Sequence, residues 1–201
     1  MKELFKKIVR IIGFIIILPM LVSYRLRALF IGSDRSLQSS SQFLSLLPGL
    51  SGQYLRRAFL ARVLTGCDSS SCIEFGAIFS RTGARIGRNS YIGPYCVIGL
   101  ADIGPDALLA PGVQVPSGPH THGTEDTSTA IRNQEGHLSL VKIGEGSWVG
   151  CSAVIMADVG KNSIVAAGSV VTKSIPDYSI AAGSPARVIR SRLPNCSVAD
   201  N

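Results

Sequence analysis

Aromatic side chains are scarce in this chain of 201 residues: they make up 6% of it, with a single tryptophan. Proteins that bind nucleic acid interleave basic and aromatic residues over one face. No stripe of that kind accompanies the net charge of +7, so no nucleic-acid partner is expected. Acidic residues are missing where the positive charge collects. Residues 1–65 hold ten Lys/Arg and two Asp/Glu, whereas residues 66–201 hold ten and eleven. The basic character therefore belongs to the N-terminal third, and the remainder is nearly neutral.

Metal-ligand patterns are lacking too. The five cysteines, Cys67, Cys72, Cys96, Cys151 and Cys196, are odd in number and match no zinc spacing; no metal is expected. Long apolar runs are missing as well. Ile11 to Val22 is the longest at the N-terminus, with twelve residues, against the ~20 a spanning helix needs. No small-residue cleavage site follows it. Export and disulfides are not expected, and the reducing cytosol is the implied setting.

Basic residues flank the run on both sides, Arg10 before it and Arg25 and Arg27 after it, so the positive-inside asymmetry is absent. Residues 1–35 fit an amphipathic helix lying on a membrane surface, held by apolar burial and by anionic headgroups. The competing reading is a helix packed on the rest of the chain or on a partner subunit. Pro19 should kink or end the helix. Residues 36–66 read as a helical cap. Ser39, Ser40 and Ser41 can cap a short helix through Leu47, and Pro48-Gly49 breaks it. Ser51 can cap a second helix with the apolar stripe Tyr54, Leu55, Ala58, Phe59 and Val63.

What the rest of the chain does have is a six-residue period. Aliphatic residues recur at Ile86, Ile92 and Ile98, at Ile103, Leu109 and Val115, at Ile143, Val149 and Ile155, and at Val159, Val165 and Val171. Glycine follows at Gly87, Gly93, Gly99, Gly104, Gly144, Gly150 and Gly160. Six fits neither a helix nor a plain strand. It fits one short strand and one corner per hexad, stacked as a solenoid. Branched side chains fill the narrow interior, and glycine and small or polar residues take corners where φ is positive. Three hexads close a triangular coil. The positions from Ile73 and Phe79 to Val171 make about five coils, within a domain spanning 67–190 and followed by a tail, 191–201. The expected fold is an all-β solenoid, a parallel β-helix, behind an N-terminal helical segment.

The period vanishes between Val115 and Ile143. Residues 116–141 are polar and hold all three histidines, His120, His122 and His137. A long aperiodic insertion in a repeat array is commonly functional. The pattern predicts a loop extruded from one corner, with the flanking coils stacked directly.

The hexads, the histidine-bearing loop and the C-terminal run GSWVG…AAGSVVTK…GSPARVIR resemble the hexapeptide-repeat acyltransferases, from Cys67 to about Arg190. The resemblance implies a left-handed coil, a homotrimer and direct acyl transfer from acetyl-CoA or a related acyl-CoA. A loop histidine then acts as general base. An imidazole suits this, since its unperturbed pKa near 6.5 leaves it mostly neutral in the cytosol. His122, in Thr-His-Gly, matches the family position; His120, two residues earlier, competes with it. Glu125 and Asp126 could orient the imidazole or contact substrate, against the competing reading of solvated loop charges. The resemblance places Cys151 and Ala167 along the pantetheine arm and Gly150 as an oxyanion N–H donor. Lys173, Arg187 and Arg190 fall near the coenzyme phosphates. The ring of Trp148, the sole tryptophan, could wall the cleft or cover a corner of the coil.

The N-terminal helices are similar to those of membrane-linked members that modify surface polysaccharides or glycolipids. That implies a saccharide or lipid-linked saccharide acceptor, polysaccharide biosynthesis, and peripheral attachment to the inner face of the cell membrane. Three readings compete with it. A soluble acetyltransferase of antibiotics or other xenobiotics would leave the N-terminus unexplained. A non-enzymatic scaffold would leave the coenzyme-like residues unexplained. Carbonic anhydrases of the β-helical type bind zinc through three histidines from neighbouring subunits, whereas here all three lie in one loop.

Overall fold

The computed structural model describes residues 2–194, with side chains from Ile11 onward. Cys196 and the tail beyond Pro194 lie outside the described residues. From Gly66 on, the chain winds as a three-sided prism, and nearly every side is a two-residue parallel strand.

The polar face stacks β1 (Gly66–Cys67), β4 (Arg85–Ile86), β7 (Ala101–Ile103) and β10 (Val141–Ile143). Bridges through Val159 and Ile175 continue it. The tryptophan face stacks β2 (Cys72–Ile73), β5 (Tyr91–Ile92), β8 (Leu108–Leu109), β11 (Trp148–Val149), β13 (Ile164–Val165) and β15 (Ser179–Gly183). The valine face stacks β3 (Ile78–Phe79), β6 (Val97–Ile98), β9 (Gln114–Val115), β12 (Val154–Ile155) and β14 (Val170–Val171). Five coils are complete and a sixth has two sides. β16 (Ala186–Ser191) then turns back antiparallel along β15 and closes that end.

In each two-residue strand the second residue points inward. All the repeat aliphatics from Ile73 to Val171 are buried, which makes one continuous core. The glycines behind them are not left-handed, contrary to the expectation from sequence. A Cβ on Gly87, Gly93, Gly99, Gly104, Gly144, Gly150 or Gly160 would lie 2.4–2.7 Å from a backbone atom of the next coil. Close approach between coils selects glycine there. The left-handed residues come two positions later, for example Asn89, Tyr95, Asp106, Ser152 and Asn162.

Three helices precede the prism: α1 (Lys2–Ile31), α2 (Ser33–Ser45) and α3 (Gly49–Val63). α1 does not end at Pro19. Ile17 and Tyr24, on either side of that proline, are both buried against the cap, and Tyr24 meets Phe59 edge-on at 5.8 Å. Tertiary packing overrides the local breaker. The serine triplet does not cap a helix either; it lies inside α2 and joins elements. Ser39 and Ser40 accept hydrogen bonds from the Arg27 guanidinium at 2.8 and 2.7 Å. Ser41 Oγ accepts the Phe79 N–H at 2.8 Å. α3 begins at Gly49, with Pro48 at its N-cap position, and Ser51 sits in its first turn.

Two polar clamps hold the cap on the open first coil. The Asp34 carboxylate accepts the Thr82 N–H at 2.9 Å and hydroxyl at 2.8 Å, and pairs with Arg81 at 3.2 Å. Burial pushes its pKa up, but these donors outweigh that and hold it below the usual carboxylate value. The second clamp was not legible in the stripe assigned to α3. Arg56, 2% exposed, sits among the core residues of that helix. Its Nε donates to the Ile73 carbonyl at 3.0 Å, and one terminal nitrogen donates to Leu44 and Leu47 carbonyls at 3.1 and 2.6 Å. One side chain thus joins α3, the end of α2 and the first coil.

Arg56→Ala would remove the three hydrogen bonds that join α3 to the end of α2 and to the first coil. The expected loss is at least about 3 kcal/mol, read in a thermal melt; a melting temperature within 2 °C of wild type, on the order of 0.5 kcal/mol, would contradict the clamp.

Candidate functional site

Val141–Ile143 lies in register on Ala101–Ile103, and Trp148 on Leu108. No rung is lost across the interruption, so residues 116–140 leave and re-enter as an arm at the corner between the valine and polar faces. The root of the arm is fixed: Ser117 Oγ accepts the Leu100 N–H at 2.8 Å. Its two sides then pair with each other. The Ser139 N–H donates to the Ser117 carbonyl at 2.8 Å, and the His137 N–H to the His120 carbonyl at 2.6 Å. Glycine lets the sides approach closely, since a Cβ on Gly136 would lie 2.2 Å from the Thr121 carbonyl oxygen.

The tip is organised by Asp126. Its Oδ1 accepts the Ser128 hydroxyl at 2.6 Å and N–H at 2.8 Å. Gln134 Nε2 donates to the Asp126 and Thr129 carbonyls at 2.6 and 2.8 Å. The Ser128 hydroxyl, with further donors from Thr129 and the Ser128 N–H, brings the Asp126 pKa down to about 2. Oδ1 of that carboxylate is engaged in the arm's own turn. His120, His122 and Glu125 are exposed. Among the described residues, no side-chain hydrogen bond fixes either imidazole.

Gly150, Cys151 and Ala167 lie together at a different corner, between the tryptophan and valine faces. Successive coils place Pro111-Gly112, Cys151-Ser152, Ala167-Gly168 and Gly183-Ser184 there. The result is a ledge without large side chains. The backbone donors on it divide sharply. The Gly150 N–H donates to the Val165 carbonyl at 2.8 Å, and the Ser152 and Gly168 N–H groups to Pro111 and Cys151 carbonyls at 2.9 and 2.8 Å. Gly150 is therefore not the open donor expected from sequence, because it continues the inter-coil ladder. Among the described residues, the Cys151 and Ala167 N–H groups have no acceptor, and both residues are exposed. They lie one coil apart, ~4.8 Å. A sequence signal for them exists in hindsight. The equivalent positions in the second and third coils are Pro94 and Pro111, which carry no N–H, so the first N–H-bearing residue at this position beyond them is Cys151.

The basic residues do not converge on one place. Arg187 is opposite Ala182, beside the ledge at the last coil, and Arg190 is opposite Ile180 on the tryptophan face. Lys173 follows β14 at the corner from which the arm leaves. Trp148 is 50% exposed and stands between Leu108 and Ile164 on the outside of its face. The structure thus joins Cys151, Ala167 and Arg187. It sets the arm histidines and Lys173 at the other edge of the valine face.

The family model for the hexapeptide repeat of succinyl-transferase matches residues 140–173. A galactoside O-acetyltransferase of Escherichia coli is 32% identical over 145 residues, covering 67% of this chain and 68% of that protein. A putative acetyltransferase of Saccharomyces cerevisiae is 33% identical over 153 residues, 73% of this chain and 76% of that protein. Among solved structures, a galactoside acetyltransferase in complex with coenzyme A superposes with a TM-score of 0.67 at 25% identity, over 82% of this chain and 84% of that one.

Gly136→Ala should separate the two sides of the arm without touching the coils. Hydrogen exchange over residues 134–140 is expected to quicken by at least tenfold while the solenoid melts as in wild type; unchanged exchange would mean that the sides are not held by this contact.

Proposed function

The chain belongs to the hexapeptide-repeat acetyltransferases, and from that premise we propose that it moves an acetyl group from acetyl-CoA to a hydroxyl of a free or lipid-linked saccharide at the cytoplasmic face of a membrane. The relatives that act on galactosides support the acceptor class. The observation that carries the reading is the pair of unengaged N–H groups of Cys151 and Ala167 on an open ledge. Such donors can hold the amide carbonyls of a pantetheine arm, or the oxyanion formed where the thioester carbonyl is attacked. Arg187, at the far end of the same ledge, suits the coenzyme phosphates.

His122 serves as the base in this scheme, with His120 as the competing residue. Its imidazole takes the acceptor hydroxyl proton as the oxygen bonds to the thioester carbon. The imidazolium then returns the proton to the departing sulfur as the carbon–sulfur bond breaks. The products are an acetyl ester and free coenzyme A, with no covalent enzyme intermediate.

The arm and the ledge lie on opposite edges of the valine face, so a trimer in which each arm reaches its neighbour's ledge suits the mechanism. The outer surfaces support it. The polar face presents Arg85, Asp102 and Lys142, whereas the valine face presents Ile78, Val97, Val154 and Val170 around a single polar Gln114, and the tryptophan face Tyr91, Leu108, Trp148 and Ile164. A closed ring with threefold symmetry needs two different contact patches on each subunit, and two of the three faces are apolar.

The membrane reading rests on α1. The stretch Ile11–Ile31 is long and apolar enough to cross a bilayer by length and composition. One side of it is already packed on α2 and α3 through Ile17 and Tyr24. The other side exposes Ile11, Ile15, Leu18, Val22, Leu26 and Leu29 at helical spacing. That geometry suits a helix lying in the headgroup region with its cap attached, under the attraction of an N-terminal third rich in Lys and Arg.

Two experiments test these statements. His122→Ala is expected to lower kcat by at least about 10² with coenzyme affinity unchanged; the same loss in His120→Ala instead moves the base by two residues, and no loss in either removes the mechanism. Val22→Asp with Leu26→Asp, in the full chain, should abolish co-sedimentation with anionic liposomes and leave the solenoid's melting temperature intact. Undiminished binding would mean that α1 does not face lipid.

A further inference from the structure

One corner position departs from the rule of its neighbours. Along the ledge corner, the left-handed residue of each successive coil is Gly76, Tyr95, Gly112, Ser152 and Gly168, with φ of 78, 60, 75, 56 and 69°. Three of the five are glycine, as this backbone region favours, and the fourth, Ser152, is small. Tyr95 has a large aromatic side chain there, and burial does not compensate for it, because the residue is 62% exposed. The structure nevertheless makes room for the ring. Any Cβ on Gly76 would lie 2.4 Å from it. Phe75 supports it edge-on, with centroids 5.6 Å apart and planes at 86°, and the Tyr95 N–H donates to the Phe75 carbonyl at 3.1 Å. A costly conformation, a vacated neighbour and an exposed ring together conflict with the local rules of the fold, as functional positions do.

Its place on the corner gives the conflict a direction. Tyr95 lies one coil below Gly112 and two coils below Ser152, roughly 10 Å from the unengaged Cys151 N–H at 4.8 Å per coil. Between them are only Pro111 and Gly112. A thioester held along Ala167 and Cys151, with its phosphates toward Arg187, would therefore end facing a small-residue gap closed by the Phe75–Tyr95 pair.

We propose that Tyr95, braced by Phe75, is the platform on which the sugar ring of the acceptor stacks. The apolar C–H face of a pyranose would lie against the phenol ring and turn one hydroxyl toward the thioester. Tyr95 is then a specificity-determining residue of the acceptor side. The assignment rests on the saccharide reading given above.

The test uses full-length protein, acetyl-CoA and a panel of methyl glycosides including methyl β-galactoside, with maltose. Tyr95→Gly relieves the left-handed backbone, so its melting temperature should equal or exceed that of wild type. Its KM for the best acceptor of the panel should rise at least tenfold, with the KM for acetyl-CoA within twofold, and Tyr95→Trp should restore the acceptor KM to within threefold. An unchanged acceptor KM in Tyr95→Gly overturns the platform and leaves the saccharide reading standing. A lowered melting temperature with loss of the oligomer in light scattering also overturns it, since the ring would then belong to a subunit contact. Absence of acetyl transfer to every sugar by wild type overturns the saccharide reading and the platform with it.

Discussion

Everything in this protein depends on how closely one coil can sit on the next. Two-residue strands give each coil few ladder hydrogen bonds per side, so stacking has to be tight and continuous for the core to exclude water. That requirement reaches the sequence as glycine behind the inward aliphatics, where a methyl group would strike the backbone of the next coil at 2.4–2.7 Å. It also shapes the interior. Buried serines pass bonds from coil to coil: Ser147 Oγ donates to the Gly160 carbonyl at 2.6 Å, and Ser163 Oγ to the Pro176 carbonyl at 2.7 Å. The same constraint leaves only corner atoms free for ligands. The ledge N–H groups of Cys151 and Ala167 are open because the ladder has no use for them.

Along its faces a stack of this kind satisfies one coil with the next, and its ends need partners from elsewhere. The C-terminal end closes on itself when β16 folds back along β15. At the N-terminal end the cap supplies acceptors for the first coil: Ser41 for the Phe79 N–H, the Ser45 carbonyl for the Gly76 N–H at 2.9 Å, and Asp34 for Thr82. Arg56 works in the opposite sense and supplies donors to carbonyls. Because Asp34 titrates below the usual carboxylate range, its stabilising contribution is complete above the unfolded value near 4 and fades as pH falls through the lower folded value. The attachment of the helices is thus acid-sensitive, while the aliphatic interior has no titrating group in its repeat positions.

The solenoid was legible because its code is local. Each hexad carries its own inward residue, so the prism and the extruded arm follow from spacing, whereas the sixth, two-sided coil through Ile175 and β15 lies past the last counted position, Val171. The cap was legible only as helices. What Ser41 and Arg56 do there depends on partners 38 and 17 residues away, and a buried arginine at helical spacing reads as a surface residue. The site was half legible. Family likeness points to Cys151 and Ala167, which share the ledge, but it also names the Gly150 N–H as a donor, and only the ladder shows that it is occupied. The succession of Pro111 and Cys151 along the corner marks where open N–H groups begin, since proline carries no donor. Asp126, four positions from a histidine, reads as its partner or as a solvated loop charge, and the serine two positions on shows that it also completes a turn.

In the proposed mechanism the arm makes the chemistry depend on assembly. A general base has to be held within hydrogen-bond reach of the proton it takes, and small misplacements cost much of its effect. Beyond its root at Ser117, the arm's hydrogen bonds are internal, and the imidazoles of His120 and His122 have no side-chain partner among the described residues. Their own chain therefore orders the arm but does not aim it. The ledge on which a thioester would lie is separated from that arm by the whole valine face. In the proposed trimer, a neighbour's surface supplies the missing aim, and the apolar outer residues that make association favourable also exclude water from the reacting groups. Stability and catalysis are then divided between levels of structure: the coils fold through contacts within one chain, and the base and the coenzyme meet only across two.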